Sequence, residues 1–175
     1  MVNHGISTGA LFLLVGMIYE RRHTRLIASF GGLWAVMPRF AVLLLIAMFA
    51  SAGLPGLNGF IGEFLIMLGA FGPWPWATAV ASSGVVLGAL YLLWMYQRVV
   101  FGPLVHEENR RLTDLDGREI AVLVPVLGLC FAMGVFPAPF LTRMQPSIDR
   151  ILARVAAHAP AETQVAVQTA GEGSR

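Results

Sequence analysis

One charged side chain, Glu63, stands in the apolar stretch between Phe40 and Gln97. A charged carboxylate at mid-membrane depth costs about 2.5–3.5 kcal/mol on insertion scales. Such a group normally faces protein or water rather than lipid, and it marks a proton or ion path. Desolvation favours the neutral form of a carboxyl, so an acid held out of water can load and release protons near neutral pH. The alternative is a structural carboxyl, hydrogen-bonded to a neighbouring helix. Just upstream lies Asn58, placed to hydrogen-bond Glu63 or to cap the backbone.

A second group of this kind is His4, followed one helical turn later by Ser7 and Thr8. Histidine changes charge near neutrality and can pass protons along. Hydroxyls one turn away share its helix face and could join it in a hydrogen-bonded chain of water. A solvated interfacial histidine near a chain end is the competing reading.

These groups have to be held by helices. Gly53, Pro55, Gly56, Gly59 and Gly62 fall in the middle of an otherwise apolar run, just before Glu63. Proline removes a backbone donor and clashes with the preceding turn, and glycine weakens a helix interior. A break over residues 54–59 is therefore expected. Unpaired backbone is tolerated at membrane depth only where protein buries it or water reaches it, and interrupted membrane helices often carry ion sites. A plain proline kink is the alternative.

The composition is that of a membrane protein. Only 13% of residues are charged, against about 25% in soluble domains, and 57% are hydrophobic. Mean hydropathy is +0.70. An apolar helix of about 20 residues spans a bilayer. The expected fold is an all-α polytopic membrane helix bundle with four transmembrane segments. They cover about 4–19, 39–71, 76–96 and 120–136, the first short for a full span and the second broken near its middle. Residues 1–140 would form the membrane domain. Residues 141–175 would be an amphipathic tail, disordered from residue 160 onward.

All twelve basic residues are arginines. Eight of them (Arg21, Arg22, Arg25, Arg39, Arg98, Arg110, Arg111 and Arg118) fall in or beside two loops, 20–38 and 98–119. The positive-inside bias puts those loops in the cytoplasm and the tail in the periplasm. The first segment is no signal peptide, because its positive charges follow the apolar run. The mixed-charge loop 98–119 is either a solvated connection or a docking surface. Arginines scattered over helix ends form no nucleic-acid patch. Cys130 has no partner for a disulfide and reads as lipid-facing or core packing. Trp34, Trp74, Trp76, Tyr91, Trp94 and Tyr96 fit an interfacial belt or helix packing, and Gly84 with Gly88 permits a close helix contact. No phosphate-binding loop, dinucleotide fingerprint, CxxC pair or HExxH is present. The sequence thus offers no site for nucleotide, flavin, iron–sulfur cluster or metal.

Two stretches carry a resemblance. NHGISTGALFLLVGMIYERRHTR, residues 3–25, and AGLPGLNGFIGEF, residues 52–64, resemble the antiporter-like, proton-translocating membrane subunits of bacterial NADH:quinone oxidoreductase (respiratory complex I), specifically chain M. Related L-type and sodium/proton antiporter subunits usually carry a lysine shortly after the histidine, where this chain has Ser7-Thr8-Gly9. The resemblance implies a proton path in which Glu63 belongs to the exit half-channel and His4 to a central hydrophilic axis. Asn58 and the glycine–proline break would admit water. It implies NADH, flavin, iron–sulfur clusters and quinone in other subunits and none here. Its implied partners are the other membrane subunits of the complex, the preceding helices of the same subunit and the bilayer of the bacterial inner membrane.

The chain departs from the family pattern in having no lysine. The family has about fourteen helices in two inverted repeats, so this chain reads as a C-terminal part whose Met1 is an internal methionine. Two other classes remain open. One is a subunit of a sodium/proton antiporter or membrane-bound hydrogenase, marked by sodium-dependent transport without NADH. The other is a non-transporting structural membrane piece, marked by a native product of only this length.

Overall fold

The computed structural model describes residues 1–158. Every described element is helical: α1 (Val2–Arg22), a 3₁₀ turn (Ile27–Ser29), α2 (Leu33–Val36), α3 (Pro38–Ser51), α4 (Asn58–Phe71), α5 (Pro75–Val100), α6 (Glu107–Arg110), α7 (Gly117–Val135) and α8 (Ala138–His158). Two compact units divide the chain, Met1–Phe136 and Pro137 onward.

In the first unit α3 is the central post, packed against α1, α5 and α7. Its Phe40, Leu44, Ala47 and Met48 meet Leu14 and Ile18 of α1, Leu123 and Leu127 of α7, and Tyr96 and Val100 of α5 in one buried cluster. The Tyr96 hydroxyl donates to the Ala41 carbonyl at 3.0 Å inside that cluster. Tyr96 is thus a packing residue and not part of an interfacial belt. Cys130 is fully buried with Ala50 and Leu57 against the helix break, which makes it core. Gly84 has open space where a side chain would project, so the Gly84–Gly88 pattern makes no close contact in this unit.

Among the described residues three helices, α1, α5 and α7, are long and apolar enough to cross a membrane. The first expected segment, 4–19, was short for a span, but α1 continues through its arginines to Arg22. Arg21 and Arg22 sit favourably at the negative end of the helix dipole. His23 then closes the helix in the left-handed region (φ 52°) and donates its N–H to Tyr19. α3 and α4 have 14 residues each. At 1.5 Å per residue each reaches about 21 Å, less than a bilayer core of about 30 Å.

Loop 98–119 folds down onto the helix ends. Asp114 accepts from the backbone N–H of Arg39 (2.9 Å) and Phe40 (3.1 Å), capping the start of α3 from outside its own segment. Arg21 grips Glu119 through two bonds of 2.7 and 2.6 Å. Glu119 also completes a capping box with Asp116 at the start of α7. Arg22 bonds the Asn109 side chain, which in turn bonds the Ser29 carbonyl. The C-terminal ends of α1 and α5 and the N-terminal ends of α3 and α7 therefore gather at one end of the unit.

The second unit consists, in its described part, of α8. No residue of α8 is buried. Phe140, Met144, Ile148, Ile151 and Val155 share one face at helical spacing, and Arg143, Arg150 and Arg154 share another. The disorder expected from residue 160 onward concerns residues outside those described.

Candidate functional site

The break is built from two turns. α3 ends at Ser51 with Ala52 as its cap, and Gly53 (φ 75°) takes the left-handed position while the Leu54 N–H reaches back to the Phe49 carbonyl. This is the glycine-terminated helix end in which the residue after the glycine satisfies an orphan carbonyl. Leu54, Pro55, Gly56 and Leu57 then form a turn closed by the Leu57 N–H on the Leu54 carbonyl (3.1 Å). Gly56 has φ 93°. Proline second and a positive-φ glycine third is the type II pattern. The non-helical stretch is thus 52–57, two residues upstream of the expected 54–59. Asn58 and Gly59 already belong to the first turn of α4.

α4 returns close to the end of α3. A side chain on Gly59 would collide with the Ala50 carbonyl. This approach places Glu63 over the break: a Cβ on Gly53 would lie 2.5 Å from Glu63 Oε2. Glu63 is half-buried and takes no hydrogen bond or ion pair from the described residues.

A cavity of about 470 Å³ joins the two groups singled out by type. Its wall includes Asn3, His4, Ser7 and Thr8 of α1, Ser51 at the end of α3, Gly59, Gly62 and Glu63 of α4, and Tyr91 of α5. Thr8 Oγ1 lies 3.4 Å from both ring nitrogens of the exposed His4. Ser7 is buried, its hydroxyl turned back on the Asn3 and His4 carbonyls at 3.2 and 3.3 Å. Leu11, Ile66 and Leu92 also belong to the wall, so the polar groups sit in a largely apolar lining, and a space of this size with several polar partners holds water. Glu63, His4 and Thr8 thus face one compartment, while the Ser7 hydroxyl is turned back on its own helix.

Asn58 takes a different partner from the one expected. Its amide donates to the Asn3 carbonyl at 2.9 Å, not to Glu63, and Leu57 rather than Asn58 is the cap position of α4. Pro55 and Gly56 are exposed and shape the turn. Asn3, Ser51 and Tyr91 were not singled out as site residues. The Ser51 hydroxyl and the Asn58 side-chain oxygen are buried without a hydrogen-bond partner among the described residues. Asn3 alone left a signal, as an amide one residue before His4 on an apolar helix.

Residues 1–90 match the family described as NADH:quinone oxidoreductase/Mrp antiporter, transmembrane. The chain belongs to that family. It is similar to NADH-quinone oxidoreductase subunit M of Rhodobacter capsulatus, with 44% identity over 87% of this chain and 30% of the relative. It resembles NADH-quinone oxidoreductase subunit M of Mycobacterium tuberculosis at 42% identity, over 92% of this chain and 29% of that protein. A chain in the solved structure of respiratory complex I from Thermus thermophilus with bound NADH has the same fold, with TM-score 0.77 and 38% identity. That likeness covers 82% of this chain and 30% of the other. The type-M resemblance carried by residues 3–25 and 52–64 is thus borne out. The chain spans less than a third of the length of these relatives. Family membership and the apolar helices together make it a membrane protein.

Proposed function

We propose that this chain forms part of the proton-translocating subunit M of an NADH:quinone oxidoreductase, with Glu63 as a reversible proton carrier and His4 as a relay. The observation that carries the reading is the one cavity shared by Glu63, His4 and Thr8 beside a broken helix. In this reading the glycine–proline break, exposed at residues 54–56, admits water beside Glu63, while Asn58 is buried at the start of α4 and Ser7 and Thr8 line the cavity. Electron transfer from NADH to quinone would be coupled to this path from other subunits, which would hold the flavin, iron–sulfur clusters and quinone. This chain would carry no redox centre. Its partners would be those membrane subunits, the preceding helices of the same subunit, and lipid.

In this reading α3 and α4 cross the membrane together as one broken segment, giving four crossings in residues 1–140, with 141–175 as a tail outside the bilayer. The membrane is the bacterial inner membrane. Loops 20–38 and 98–119 face the cytoplasm and the tail the periplasm, following the arginine distribution.

Glu63→Gln in the intact native complex should lower the protons moved per electron delivered to quinone. An unchanged ratio counts against the carrier role. The family description also spans antiporters, so proton movement driven by sodium without NADH would favour the antiporter reading instead.

A further inference from the structure

We propose that Asn3 is a positioning residue for Glu63, forming with Asn58 a two-bond clamp that holds α4 in register with α1 across the cavity. The inference rests on the proton-carrier reading of Glu63. Each side-chain amide donates to the other residue's main-chain carbonyl: Asn3 Nδ2 to Asn58 O at 2.8 Å, and Asn58 Nδ2 to Asn3 O at 2.9 Å. Both lengths are at the favourable centre for N–H···O bonds. Asn58 is fully buried. Reversing its amide would set two oxygens against each other, so the geometry fixes which end faces α1.

The clamp matters because the chain itself does not orient α4. Residues 52–57 are non-helical, so α4 does not inherit its rotation through a continuous helix; it packs on α5 and α7 and closely on Ala50 of α3, and the clamp adds a directional bond to α1. Among the described residues, these two bonds are the only side-chain hydrogen bonds between α1 and α4. They close one residue from His4 on α1 and five residues before Glu63 on α4. Asn3 precedes His4, and the Asn3 amide seats on Gly62, where an added Cβ would lie 3.1 Å from Asn3 Nδ2. Gly62 precedes Glu63. The glycine leaves room for the amide, and the amide sets the rotation that turns Glu63 toward Gly53 and the cavity.

An ordinary packing contact would affect how much complex assembles. A positioning clamp also changes a ratio that does not depend on that amount. The test uses Asn3→Leu and Asn58→Leu, singly and together, in the intact native complex in its own membranes. Two quantities are read: protons moved per electron, and the rate at which a hydrophobic carbodiimide labels Glu63. Each single variant is expected to lower the ratio and to change the labelling rate several-fold. The double variant should fall no further than the worse single, because the two bonds act as one unit. If a leucine variant does not assemble, Asn3→Ser removes the Nδ2 bond without added bulk and is read in the same way. Wild-type ratio and labelling in the single variants, or strictly additive losses in the double, overturn the clamp. If Glu63→Gln lowers the ratio while the asparagine variants do not, the clamp alone fails. If Glu63→Gln leaves the ratio unchanged, the carrier reading fails first.

Discussion

At the scale of single residues, the contact between Gly53 and Glu63 separates two effects that usually travel together. Gly53 and Gly56 both hold positive φ, 75° and 93°. An L side chain in the left-handed region costs about 1–2 kcal/mol. An alanine at Gly53 would also meet the Glu63 carboxyl at 2.5 Å, whereas at Gly56 it meets open space. Gly53→Ala and Gly56→Ala should therefore lower the thermal denaturation midpoint of the purified complex to a similar degree. Only Gly53→Ala should also reduce protons moved per electron. Equal pumping in both variants would mean that the position of the carboxyl over Gly53 is irrelevant to transport. Glu63, His4 and Thr8 were legible from the sequence because a titratable or hydroxyl group in an apolar run is conspicuous by type. Asn3 showed only as an amide beside His4, and Ser51 was not read as a site residue. The meaning of Asn3 lies in Asn58, 55 residues away, and that of Ser51 in a cavity wall shared by four helices. No local pattern carries either pairing.

At the scale of elements, the break was legible because its two turns require special residues: glycine where φ is positive, and proline at the second position of a type II turn. Its limits were displaced because Asn58 and Gly59, poor helix formers by propensity, are held in α4 by packing on Ala50 and by the bond to Asn3. The clasp at the helix ends was not legible, since loop 98–119 contains charges of both signs and its partners lie far away in the chain. Two changes test it. Asp114→Ala removes an external cap of α3 and should cost about 1 kcal/mol, in line with other N-cap losses. Arg21→Ala leaves Glu119, only 8% exposed, without its partner and should cost more, about 3 kcal/mol. Adding Glu119→Ala to Arg21→Ala should recover part of that loss, because the stranded charge is then gone. Denaturation of the solubilised complex reads all three. A double variant worse than the sum of the singles would mean that the pair is not the unit the geometry describes.

At the scale of the whole molecule, the clasp constrains topology more tightly than hydropathy does. The C-terminal end of α5 and the N-terminal end of α3 lie at the same end of the first unit, tied by loop 98–119. In the proposed arrangement α5, long and apolar enough to cross alone, carries its N-terminal end at Pro75 to the opposite side. α4 ends at Phe71, with only a short turn to Pro75, so its end is on that opposite side too. In that arrangement α3 and α4 pass together from one side to the other, although neither is long enough by itself. A re-entrant pair would instead return α4 to the side where α3 began. In a Cys130→Ala background, Arg111→Cys and Gly72→Cys separate the two cases. The native Cys130 is fully buried, so its removal takes away no surface thiol. A membrane-impermeant maleimide added to inside-out vesicles should label the cysteine at 111, and the one at 72 should be labelled only in right-side-out cells. Labelling of both positions from one side would make α3 and α4 a re-entrant pair. The broken helix would then open to that side alone, and Glu63 could not serve a path that crosses the membrane through this segment.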